Sequence, residues 1–265
     1  MLRRSISLLA LAGLAASGGC KALTDASSSG TPVAVVVLNA RTKGTGYTTS
    51  PVVNFYRAQN ITFSSAAAAT DSCVVTAYDP NAASGATATV IGGGAAVVAR
   101  VSGTTDSLRQ STTADATYRS RLTSGIPFTP GDSIYLTIPG DAAGFPPMTA
   151  TSRTAEAFTV DPIVVPPAGQ NMAVSWTAAS DANAAMLFYF RYSDGTSAGL
   201  NTQIFCDFRD DGTGTVQATN IVRWAAGSPR DVLVQRLRTT LLQSGTGSGY
   251  LNVISTFEKP TPVSP

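Results

Sequence analysis

The apolar residues of this chain come in short runs rich in β-branched side chains, and no segment sustains a helical period. The runs fall at 33–40, 52–57, 73–78, 87–91, 95–101, 133–138 and 156–160, then at 171–177, 185–192, 203–208, 214–219, 231–238 and 250–257. Turn formers such as Gly92-Gly93-Gly94, Thr129-Pro130-Gly131-Asp132 and Pro139-Gly140-Asp141 stand between them. Many short strands with this punctuation predict an all-β sandwich or barrel. Residues 133–138 (SIYLTI) alternate polar and apolar, as a strand with one buried face does. Residues 219–225 offer one short helical turn carrying Ile221, Val222 and Trp224.

Residues 161–170 are rich in proline, with Pro162, Pro166 and Pro167 unable to donate to a ladder. The expected organisation is therefore two tandem β-sandwich domains, at 33–161 and 162–258, followed by a frayed Pro-rich tail at 259–265. Asp211-Gly212 between two strand runs predicts a hairpin.

The start of the chain has a different character. Arg3 and Arg4 precede an apolar run of about a dozen residues, which ends in Ser17-Gly18-Gly19-Cys20. A charged start, a short apolar stretch and small residues before a cleavage point are the marks of an export signal over 1–19. A permanent spanning helix needs roughly 20 apolar residues. Residues 20–32, rich in serine, read as a flexible tether.

Removing 1–19 also removes Arg3 and Arg4, which leaves 16 basic and 16 acidic side chains. The net charge of +2 thus belongs to the export segment. No Lys/Arg cluster appears along the sequence, so no nucleic-acid partner is expected.

Leu14-Ala15-Ala16-Ser17-Gly18-Gly19-Cys20 resembles the lipobox of bacterial lipoproteins. That family prefers Leu where this chain has Ser17. The resemblance implies a diacylglyceryl thioether on Cys20, which becomes the first mature residue, and a membrane partner reached through that lipid. Lys21, in place of the aspartate that favours the inner membrane in enteric members, points to the outer membrane. The stretch 71–257 is also similar to uncharacterised bacterial lipoproteins with tandem, immunoglobulin-like sandwich domains. The similarity rests on Gly92-Gly93-Gly94, Phe128-Thr129-Pro130-Gly131-Asp132, Phe145-Pro146-Pro147-Met148, Ala173-Val174-Ser175-Trp176-Thr177, and Cys206 with Asp210-Asp211-Gly212. It implies an envelope location and carries no catalytic residue over.

Two cysteines remain after Cys20. Cys73 and Cys206 each sit in an apolar run, either bridged in an oxidising compartment or as two separate buried thiols.

The chain has no histidine. That removes Ser-His-Asp and Cys-His catalysis and His-based zinc sites together. Gly195-Thr196-Ser197-Ala198-Gly199 fits the nucleophile-elbow pattern by letters alone, since strand-like runs flank it on both sides and no His exists to activate Ser197. Asp207-Phe208-Arg209-Asp210-Asp211-Gly212 fails the calcium-loop pattern at Arg209 and at Ala218. No metal or cofactor is expected, and the chain reads as a non-enzymatic envelope protein with a structural or interaction role. The alternative is a glycan- or peptide-binding module. Residues 186–192 alternate so that Leu187, Tyr189 and Arg191 share one side, with Tyr192 on the other. Either both faces are covered, or Tyr189 and Tyr192 form an exposed binding ledge.

Overall fold

Residues 133–138 form the strand that their alternation predicts, with Ile134, Leu136 and Ile138 buried and Tyr135 and Thr137 facing water. The structure is a computed structural model. It describes residues 30–58, 66–79, 89–112, 115–245, 247–261 and 263–264. The export segment, Cys20 and the tether up to residue 29 lie outside the described residues.

The fold is mostly β. Its first half contains β1 (Thr31–Lys43), β2 (Gly46–Thr49), β3 (Val52–Ala58), β4 (Ser72–Ala77), β5 (Thr89–Val90), β6 (Val97–Val101), β7 (Thr104–Thr112), β8 (Asp115–Arg119), β9 (Ile126–Pro127), β10 (Ser133–Ile138) and β11 (Met148–Arg153). Its second half contains β12 (Ile163–Val164), β13 (Met172–Ser175), β14 (Ala184–Tyr192), β15 (Thr202–Arg209), β16 (Thr213–Val216), α1 (Ala218–Ala226), β17 (Arg230–Gln243), β18 (Tyr250–Pro260) and β19 (Val263–Ser264).

Most of these strands belong to one continuous sheet, ordered β11-β10-β6-β7-β8-β3-β1-β18-β17-β14-β15-β4. β1 is parallel to β18, with Val33 opposite Tyr250 and Ala40 opposite Phe257. β4 is antiparallel to β15. Strands from before the Pro-rich stretch thus lie beside strands from after it. The boundary expected at 161–162 does not separate two sheets, because β1 and β4 complete ladders that begin in the second half. The Pro-rich stretch is itself packed: Ile163 is buried, and β12 pairs with β19. The tail expected to fray instead continues β18 as far as Pro260 and supplies β19. Proline ends a ladder as a donor, but its carbonyl still accepts.

The sheet curls so that its inner face closes on itself. Ala99, Ile134 and Leu136 of one wing share a core with Val36, Phe188, Phe190 and Val253 of the other. Ser152 on β11 donates to Thr240 on β17 at 2.9 Å, which marks where the wings meet. The β13–β16 ribbon and α1 cover the remaining inner surface. Gly214 lets the ribbon lie against the Phe208 ring, since a Cβ there would come within 2.9 Å of it. The hairpin expected at Asp211-Gly212 is a tight turn, with Gly212 at φ +101°, but β16 leaves β15 to pair with β13.

α1 forms where the sequence allowed one helical turn. Its first amide, Ala218 N–H, donates to Asn171 Oδ1 at 2.9 Å, so the residue just before β13 satisfies this helix end. Ile221 and Trp224, three residues apart, are its buried face, and Gly227 ends it. Trp224 packs edge-on to Phe190 and donates Nε1–H to the Asp231 carbonyl at 3.2 Å.

The outer face of the second-half strands carries a smaller cluster with Val33, Val35, Ala185, Leu187, Phe205 and Ile254. Ala66 packs there, and its amide donates to Thr239 Oγ1 at 2.8 Å.

Candidate functional site

β14 lies between β15 and β17, and its two faces pack into two separate core clusters. Tyr192 turns inward and is 3% exposed. Tyr189 packs on Phe205 in the outer cluster and donates its hydroxyl to Gln235 Oε1 at 3.4 Å. Burial pushes the Tyr189 phenol up, and the charges of Glu258 and Asp207 add to this. The exposed ledge of Tyr189 and Tyr192 is therefore corrected: alternate side chains of this central strand enter two cores, so Tyr192 is buried on one face while Tyr189, on the other, is half-buried against Phe205.

Cys73 and Cys206 face each other across β4 and β15 and are joined by a disulfide. The bridge ties the edge strand of the sheet to its neighbour, 133 residues away in sequence. Beside it, Asp71 holds the start of β4. Its carboxylate accepts from the Arg209 backbone N–H at 2.8 Å and from Nε–H at 2.6 Å. Burial raises the Asp71 carboxyl, but the hydrogen bonds and charge of Arg209 outweigh it and hold the group below its ordinary value.

Asp207 is a different kind of carboxylate. It is 7% exposed, on the outer face of β15 between Ser72 and Leu187. Burial, and then the charge of Asp71, push it up to about 6.

The Ser197 loop joins β14 to β15 as an ordinary hairpin connection. Ser193 Oγ donates to the Ser197 carbonyl, and Asp194 accepts from Thr196 and Asn201. Those bonds hold the exposed Asp194 carboxyl at about 2. The Ser197 hydroxyl oxygen accepts from the Gly199 amide at 3.2 Å.

The densest polar constellation lies where the wings of the sheet meet. Arg236 and Asp210 pair at 2.6 Å with side chains 1% and 2% exposed. Arg236 also donates to the carbonyls of Ala157 and Thr177, and its guanidinium lies over the Phe158 ring. Asp210 further accepts from Trp176 Nε1–H at 2.8 Å and from the Ala179 amide at 3.2 Å. Nearby, Arg238 pairs with Asp181 at 2.5 Å and donates to Ser152 and Thr240. Glu156 accepts from Ser180, and those bonds hold its carboxyl below the usual range. These charges are paired and their hydrogen bonds made, so the constellation fastens segment 157–181 to β17.

Among the described residues, no group of three Asp, Glu or Cys side chains gathers as a metal site. No helix among them is long and apolar enough to cross a membrane.

The outward face of β6, β7, β10 and β11 exposes Arg100, Arg109 and Arg153. Arg100 lies over the ring of Tyr135, 4.6 Å from its centroid, and Tyr135 is 43% exposed. The sequence hid this grouping because its three arginines come from three strands. The alternation at 133–138 already placed Tyr135 outward. The sequence matches no protein-family model, and no curated protein matches it.

Proposed function

We propose that the chain is an exported, lipid-anchored, non-enzymatic protein of the bacterial envelope with a structural or interaction role.

 The disulfide is the observation that carries this reading. A covalent Cys73–Cys206 bridge forms and persists where oxidants act on the chain, which is the environment an export signal delivers it to. The lipobox-like ending at Cys20 supplies the anchor, and acyl chains on that residue hold a protein whose remaining charges balance. A role in structure or interaction accords with the way the charged side chains are used: Arg236, Asp210, Arg238 and Asp181 are committed to one another and to backbone carbonyls. The outer membrane is the destination this reading favours, through Lys21.

Fractionation of cells expressing the full chain and its Cys20→Ser variant tests the proposal. The full chain is expected in the membrane fraction and the variant in the soluble fraction. A variant that stays with the membrane overturns the anchor.

A further inference from the structure

The outward face of β6, β7, β10 and β11 is set by register. Arg100 stands opposite Tyr135 on one side and Thr105 on the other, and Tyr135 stands opposite Thr151. Arg153 lies two residues beyond Thr151, and Arg109 lies four beyond Thr105, so all of them share this face. With strands about 4.8 Å apart and a rise of about 3.4 Å per residue, Arg153 is about 12 Å from Arg100, and Arg100 is about 14 Å from Arg109. The three cations therefore run diagonally across the face in a line.

No carboxylate occupies an outward position on these four strands. Asp106 stands opposite Ala99, on the inner side. Arg100, Arg109 and Arg153 have no carboxylate partner among the described residues, in contrast to the paired Arg191, Arg209, Arg236 and Arg238. Apart from the half-buried Val98, the rest of the face is largely hydroxyl-bearing, with Thr105, Thr137 and Thr151 exposed around Tyr135.

We infer that this face binds a linear acidic polysaccharide. A guanidinium presents a planar fork that matches a carboxylate or sulfate, and spaced forks suit a chain with spaced anionic groups. Threonine hydroxyls both donate and accept, as sugar hydroxyls require. Two other anions fit less well. Single-stranded nucleic acid uses successive aromatic platforms, and here a single exposed ring is covered by Arg100. An anionic bilayer favours protruding apolar side chains beside lysines, and this face has neither. The inference is independent of the anchor at Cys20, because the binding is read on protein in solution.

The test uses the full chain purified in detergent, with alginate as the probe. Neutral dextran, phosphatidylglycerol vesicles and an oligothymidylate serve as comparisons. Alginate is expected to bind, to weaken as sodium chloride rises, and to lose at least tenfold in affinity in the triple variant R100Q/R109Q/R153Q with an unchanged melting temperature. Should the triple variant fail to fold, Arg109→Glu is read instead, since the Arg109 side chain makes no hydrogen bond or ion pair among the described residues; a several-fold loss is expected. Equal binding of dextran, full affinity in the folded variant, or tighter binding of vesicles or oligonucleotide than of alginate overturns the inference.

Discussion

The Asp210 carboxylate and the Arg236 guanidinium meet at 2.6 Å in the interior, where water reaches almost none of either side chain. Each charge is stable there only because of the other and of the carbonyl, amide and indole groups around them. Replacing Asp210 with Ala leaves a buried, uncompensated cation. Asp210→Ala is expected to cost about 3–5 kcal/mol in chemical denaturation, against a change within about 0.5 kcal/mol for a surface substitution such as Thr137→Ala.

The disulfide closes a long loop, since its cysteines are 133 residues apart. Restricting the unfolded chain over that span stabilises the fold by up to about 5 kcal/mol in the chain-entropy account. Cys73→Ala with Cys206→Ala is expected to lower the melting temperature clearly, and a reductant should do the same to the native chain. Edge strand β4 is then expected to exchange its amide hydrogens faster than β14, which keeps both neighbours.

Asp207 gives the fold a defined pH dependence. Its carboxyl is raised to about 6 in the folded chain, above its ordinary value, so the folded state holds the proton more tightly than the unfolded state. The ionised group therefore destabilises the fold above about pH 6, and this penalty disappears as pH falls from 6 toward 4. Asp207→Asn is expected to raise stability at pH 7.5 by about 1–3 kcal/mol and to have little effect at pH 4. Melting curves of both proteins across that range check the sign.

Gly93 lies against the Phe55 ring, and an added Cβ would overlap it. Its amide donates to Tyr118 Oη at 3.1 Å, while the Tyr118 hydroxyl donates to the Gly94 carbonyl at 2.6 Å. Gly93→Ala is expected to destabilise by about 1–3 kcal/mol through overpacking. Gly44→Ala serves as the comparison: nothing lies within 4 Å of its Cβ position, and its cost comes from φ +58° alone.

Local pattern carried much of the fold. Alternation placed Ile134 and Leu136 inward and Tyr135 outward, and the apolar run at 185–192 became a strand with two covered faces. β7 was not foreseen, because Thr104-Thr105-Asp106-Ser107 has no apolar run and Leu108 alone faces the core. The pairing of β1 with β18 leaves no local signal, since the partners are separated by nearly the whole chain. Without that pairing in view, Pro162, Pro166 and Pro167 read as a domain boundary. The arginine line had the same origin: register, not sequence proximity, brings Arg100, Arg109 and Arg153 to one face.

The most direct measurement is the intact mass of the protein isolated from the membranes of cells expressing the full chain. The expected mass is that of a chain that begins at Cys20, carries a diacylglyceryl group, and is lighter by two hydrogens because Cys73 and Cys206 are bridged. An unmodified chain that retains Met1 and three free thiols would contradict it.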